Sequence, residues 1–194
     1  MQYLLKSLAI IALLMAATTA CERYYDCDEC HGHLTGKIDQ PILFEFEYIN
    51  QAWGYRHHGF LIDGSGNIRG YSQPEEWKMT DSSGYITEED LEFNLDQTDT
   101  LYGTVPRKDL LYHYGLIPDA RDGKIRDLGT YMADAGVGTL YAYYPRRISR
   151  RIERVFLASS GDVNFENTSS AARMIVTWLK ETGKDIDRFH WAID

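Results

Sequence analysis

Cys27-Asp28-Glu29-Cys30-His31 is the stretch of this chain best equipped for chemistry, because it sets two thiols three residues apart with an imidazole directly after them. The thiols can close a short disulfide, which persists where the compartment is oxidising. Together with His31 and His33 they can offer sulfur and nitrogen ligands to Zn²⁺, although two histidines that close are strained in one tetrahedral site. A redox thiol pair would want a strand-to-helix junction, which the flanking residues do not supply. A second concentration is cationic: Arg146, Arg147, Arg150, Arg151 and Arg154 fall within one short segment. Those side chains either pair with nearby acids or present a surface for anionic headgroups, lipopolysaccharide or an acidic partner. His57 and His58 are adjacent, so on a strand they leave from opposite faces and cannot share an ion. His113 could join only one of them. No G-x-S-x-G elbow, H-E-x-x-H, P-loop or dinucleotide fingerprint is present, and Ser159, Ser160 and Asp162 are too ordinary to make a triad. Binding is therefore expected ahead of catalysis.

Three short motifs resemble known sites. C-x-x-C-H resembles the attachment site of c-type cytochromes. That resemblance implies covalent haem bonded through Cys27 and Cys30, with His31 as an axial ligand and a role in electron transfer. Met79, His113, Met132 and Met174 are the available second ligands. The resemblance covers those five residues alone, so no cofactor is expected and haem c is the alternative. Residues 79–91 resemble an EF-hand loop, with Gly84 at the sharp turn and Asp81, Ser83 and Asp90 at ligand positions, but Met79 stands where the first carboxylate belongs. Asp99-Thr100-Leu101 resembles a tripeptide that some Gram-negative bacteria O-glycosylate on exported proteins; a strand entering at Thr100 accounts for it equally.

The elements that must position these residues follow from periodicity. ILFEFEYI (42–49) alternates, with Ile42, Phe44, Phe46 and Tyr48 on one face and Glu45 and Glu47 on the other, as in a half-buried strand. Strands over 53–62 and 67–71 are joined by the turn Asp63-Gly64-Ser65-Gly66, giving a three-stranded meander. Thr87 caps a helix whose first turn is Glu88-Glu89-Asp90. Pro106 opens another that Gly115 closes. A hairpin follows over 138–144 and 151–157, then a C-terminal helix over 168–182 with Gly183 as its stop. The class is α+β: an antiparallel sheet built from the meander and the later hairpin, with two or three short helices and a C-terminal helix.

The N-terminus speaks to location. Lys6, the apolar run Leu8–Ala17 and the small residues Thr18-Thr19-Ala20 lead into Cys21. The run is too short to span a membrane core of about 30 Å. This order resembles the signal peptide and lipobox of bacterial lipoproteins, with Thr18 where Leu is usual. It implies that Cys21 becomes the lipidated first residue of an exported protein, held by its lipid at the periplasmic face or cell surface of a Gram-negative envelope. Plain cleavage after Ala20 would instead release a soluble periplasmic protein. Residues 21–40 then serve as anchor and tether, and 41–194 form one globular domain, with the fold independent of the C-x-x-C-H segment. The formal charge of −9 argues against nucleic acid. Fourteen Tyr and four Trp suit an aromatic-rich β core, and equally a surface for an envelope protein or glycan.

Overall fold

The structure, a computed structural model, describes residues 38–129, 132–146, 151–184 and 186. All belong to one compact unit, Lys37–Asp194. Its frame is a nine-stranded sheet made of β1 (Ile42–Asn50), β2 (Arg56–Asp63), β3 (Asn67–Ser72), β4 (Tyr85–Thr87), β5 (Thr100–Thr104), β6 (Ile125–Asp127), β7 (Val137–Arg146), β8 (Arg151–Gly161) and β9 (Phe165–Asn167). The order across the sheet is β5-β3-β2-β1-β7-β8-β9-β6, and β4 pairs with β8 as well. Every pairing between these strands is antiparallel. The expected meander is β1-β2-β3 and the expected hairpin is β7-β8; β1 and β7 lie side by side and fuse the two. The protein is α+β.

Among the described residues four helices accompany the sheet: α1 (Glu88–Asp96), α2 (Arg107–Gly115), α3 (Ile117–Arg121) and α4 (Ser170–Gly183). Their boundaries follow local chemistry. The Thr87 hydroxyl accepts from the Asp90 amide at 3.1 Å and caps α1. Ser169 caps α4 through the amides of Ala171 and Ala172. On one face of the sheet, Phe44, Phe46, Phe60, Leu140 and Leu157 pack under Leu110 of α2, Ile117 of α3 and Ala172, Ile175 and Leu179 of α4. Burial of such side chains is worth about 25 cal/mol per Å² and fixes that face as the main core.

The opposite face carries a second, smaller core of Ile42, Leu61, Tyr71, Ile86, Leu91, Tyr143 and Ile152, with Trp77 and Leu95 against it. Its cover is α1 together with the segment before β4. Asn94 holds that cover by accepting from the Lys78 amide and donating to the Lys78 carbonyl, both at 2.8 Å. This corrects the reading of β1 as a half-buried strand, since Glu45 and Glu47 are buried as completely as Phe44 and Phe46. The packed body also starts ahead of residue 41. Ile38 packs against the main core, and buried Gln40 donates to the carbonyls of Ile42 and Tyr143.

Candidate functional site

Two sites are built where β1, β2 and β3 run together, one sealed and one open. In the sealed site, Glu45 and Glu47 leave β1 on the second face at 0% and 4% exposure. Arg154 reaches them from β8, its side chain 8% exposed. Its Nη2 donates to Glu45 Oε2 at 2.6 Å, and the same Nη2 lies 3.0 Å from Glu47 Oε2. Tyr143 donates its hydroxyl to Glu45 Oε2 at 2.5 Å and Tyr71 donates to Glu45 Oε1 at 3.2 Å. His57 Nε2 stands 3.2 Å from Glu47 Oε1, and the Arg154 guanidinium lies 3.6 Å above the centre of the Tyr141 ring. Tyr71 and Trp77 stack at 4.2 Å and close the cluster beside His57. Gly59 is essential to this geometry. It faces the same side of the sheet, and a Cβ there would run into the Phe46 carbonyl oxygen on β1 and lie 2.5 Å from the Tyr71 hydroxyl.

The surroundings drive the two carboxylates apart. Burial, helped by the charge of Glu47, raises Glu45 above the ordinary carboxylate range against the pull of Arg154. Burial pushes Glu47 upward too, but Arg154 and His57 outweigh it and hold Glu47 below that range. Glu47 is therefore the ionised acceptor, and the nitrogen of His57 facing it carries the proton. Burial also drives the Tyr71 and Tyr143 hydroxyls well above their usual range, so both remain donors. Split carboxylates are what an acid–base site needs. Here, however, their oxygens are already taken by protein donors and closed to solvent, which is the geometry of a structural brace.

The open site lies at the β1–β2 turn. A cleft of about 360 Å³ is lined by Trp53, Gly54, Tyr55, Arg56, His58, Ser72 and Gln73. Trp53 is 76% exposed and Tyr55 57%. Gln73 forms its floor in the left-handed region at φ 51°, where a non-glycine residue is strained. Its amide explains why that conformation persists: the carbonyl accepts from the His57 N–H, the NH₂ donates to the Tyr55 carbonyl at 2.8 Å, and its own N–H donates to the His57 carbonyl at 2.7 Å. The His58 ring packs against Tyr48, tilted by 34° with the ring centres 4.6 Å apart.

The basic segment is divided by the structure. Arg154 turns inward to Glu45 and Glu47, so it is withdrawn from any surface contact with anions. Arg151 pairs with Asp81 and lies over the Tyr85 ring at 4.7 Å, while Arg146 approaches Glu153 at 3.7 Å. Arg147 and Arg150 lie outside the described residues, as do Cys21, Cys27, Cys30 and His31. Asp81 accepts from the amides of Ser83 and Tyr85 at 2.8 and 3.1 Å, which makes the 79–91 segment an Asx-type turn followed by a capped helix. Among the described residues, no group of three or more His, Cys, Asp or Glu is placed to hold a metal ion. Comparison with family models, with curated proteins and with solved structures finds no match to this chain.

Sequence reasoning missed both sites. Glu45 and Arg154 are 109 positions apart, so no local pattern joins them. A usable signal was the recurrence of His57, Tyr71, Tyr141 and Tyr143 at alternating strand positions that could face the two glutamates. For the cleft, the signal was an aromatic pair around Gly54 in a stretch lacking strand alternation; the strand expected from Trp53 begins instead at Arg56.

Proposed function

We propose that this chain is an exported lipoprotein, held to an envelope membrane through Cys21, and that it acts by binding through the open face at the β1–β2 turn, not by catalysis. The observation that carries the binding reading is the contrast between the two sites. The two carboxylates with shifted titration, Glu45 and Glu47, are closed off and satisfied by protein donors, whereas the exposed Trp53 and Tyr55 flank a concave surface with polar groups converging on it. The order Lys6, apolar run, small residues and Cys21 supports the anchor, and the multiple acyl chains of a lipoprotein hold stably where a single chain would not. Among the described residues no helix is long and apolar enough to cross a membrane.

Cell fractionation tests the anchor. Cys21→Ser should shift the protein from the membrane to the soluble fraction, or stall its processing. A variant that partitions like the wild type overturns the lipoprotein assignment. Binding is tested separately by retention of the solubilised protein on isolated envelope material, which Trp53→Ala should weaken.

A further inference from the structure

We propose that the β1–β2 cleft binds a glycan through pyranose units that carry an anionic group, an inference that rests on the binding function proposed above and names its ligand class. The argument begins with charge. The chain has 29 acids against 20 Lys and Arg, and Arg69, Arg121, Arg126, Arg146, Arg151 and Arg154 each sit on a carboxylate. Arg56 is exposed in the cleft, and no described residue pairs with its guanidinium. A planar fork of donors left open in this way fits a carboxylate or a comparable oxyanion.

The rest of the lining selects the body that carries the anion. Trp53 and Tyr55 present flat, amphipathic rings, and no aliphatic side chain stands among the other lining residues, which suits the C–H face of a sugar ring better than an aliphatic side chain. Ser72 adds an exposed hydroxyl for the ring's own hydroxyls. A peptide is disfavoured because strand addition needs a free backbone edge. Here Gln73 has already consumed the Tyr55 carbonyl and both backbone groups of His57. The volume of about 360 Å³ lies at the lower end of ligand pockets, which run from about 300 to 1,000 Å³. That suits a short stretch of a longer chain passing through an open groove. Gln73, left-handed and tied by three hydrogen bonds to Tyr55 and His57, sets this part of the lining before any ligand arrives.

Calorimetry on the full mature chain in detergent, at low and then raised salt, tests this with a panel of acidic oligosaccharides: tetragalacturonate, a glucuronate-containing tetrasaccharide and a sialic acid oligomer. Galactotetraose serves as the neutral counterpart and hexaglutamate as an acidic peptide. At least one acidic sugar should bind roughly tenfold more tightly than galactotetraose, with the gap narrowing as salt rises. Trp53→Ala should weaken acidic and neutral sugars alike, by roughly tenfold. Arg56→Gln should remove the preference for the acid and leave the neutral affinity unchanged. Failure of the whole panel to bind, equal binding by hexaglutamate, or an Arg56→Gln variant that keeps the acid preference would each overturn the proposal. If the panel fails while Trp53→Ala still loses retention on envelope material, the ligand class is wrong and the binding site stands. If Trp53→Ala changes neither readout, the binding function falls with it.

Discussion

Strand β2 carries Arg56, His57 and His58 in succession, and their fates differ because neighbouring side chains leave a strand on opposite faces. The sealed cluster and the open cleft use the same kinds of residue. Inside are Arg154, His57, Tyr71 and Trp77; at the cleft are Arg56, His58, Tyr55 and Trp53. What separates them is Glu45 and Glu47. Where the chain supplies its own anions, the aromatic and cationic groups close over them and the site becomes part of the core. At the cleft no carboxylate is among the lining residues, and Trp53, Tyr55 and Arg56 stay exposed. One composition therefore gives a brace in one place and a binding surface in the other.

The hardest way to break this comparison is to remove the shared partner of the sealed site. Arg154→Met leaves Glu45 and Glu47 buried without their cation, and stripping one partner from a buried ionic group costs about 3–5 kcal/mol. Urea unfolding should show that loss. A loss below about 1 kcal/mol, the usual ceiling for an exposed pair, would mean that the cluster is wet and that the two sites are alike after all.

The split between the two glutamates gives a pH signature of smaller size. Glu45 in the folded protein titrates above its ordinary value of 4.5, so above that pH the folded state holds a proton that the unfolded chain has released. Its contribution to stability therefore declines as pH rises from 4.5 through the folded value. Glu47 titrates below 4.5, so its contribution is present above that pH and is lost as pH falls through the folded value. Glu45→Gln, which mimics the protonated form, should gain on the wild type in urea midpoint as pH rises from 4.5. Parallel curves would show that Glu45 is not the group holding the proton.

How much of this could be read from the chain depends on the range of the interaction. Periodicity found the meander, the β7-β8 hairpin, the Thr87 cap and the C-terminal helix, because each is set within a few residues. The strands β4, β6 and β9 are three residues each and are formed by pairing partners, not by their own pattern. Alternation in β1 correctly placed Glu45 and Glu47 on one face, but polarity is not exposure. What buries that face is α1 and the Trp77 segment, tied down by Asn94, and no local rule joins Asn94 to Lys78. Arg154 was hidden for the converse reason, since it stands beside cations that do reach solvent.

Gln73 lies between the two regions, and altering it sharpens their boundary. Its amide satisfies groups of Tyr55 and His57 while its backbone stays left-handed. Gln73→Ala should cost about 0.5–1.5 kcal/mol by losing those solvent-accessible hydrogen bonds while keeping the strain. Gln73→Gly loses the same bonds but relieves the backbone, so it should be the milder of the two by about 0.4–1 kcal/mol. If Gln73→Ala matches the wild type in chemical denaturation, the cleft floor is not held by that amide and the site is less rigid than its geometry implies.

The smallest effect is expected at the open site itself, and its smallness is informative. Trp53, 76% exposed, is hydrated nearly as well in the folded chain as in the unfolded one. Arg56 has no described partner to be stranded by its loss. Surface changes away from caps, pairs and special backbone positions usually fall within about 0.5 kcal/mol, so Trp53→Ala and Arg56→Gln should melt with the wild type. Set beside Arg154→Met, the same kind of residue would then matter greatly for stability in one region and hardly at all in the other. A Trp53→Ala variant losing more than about 1.5 kcal/mol, beyond that surface range, would mean that the ring props the turn between β1 and β2. Its exposure would then be a by-product of folding, and the cleft would lose its claim to be a place kept open for a ligand.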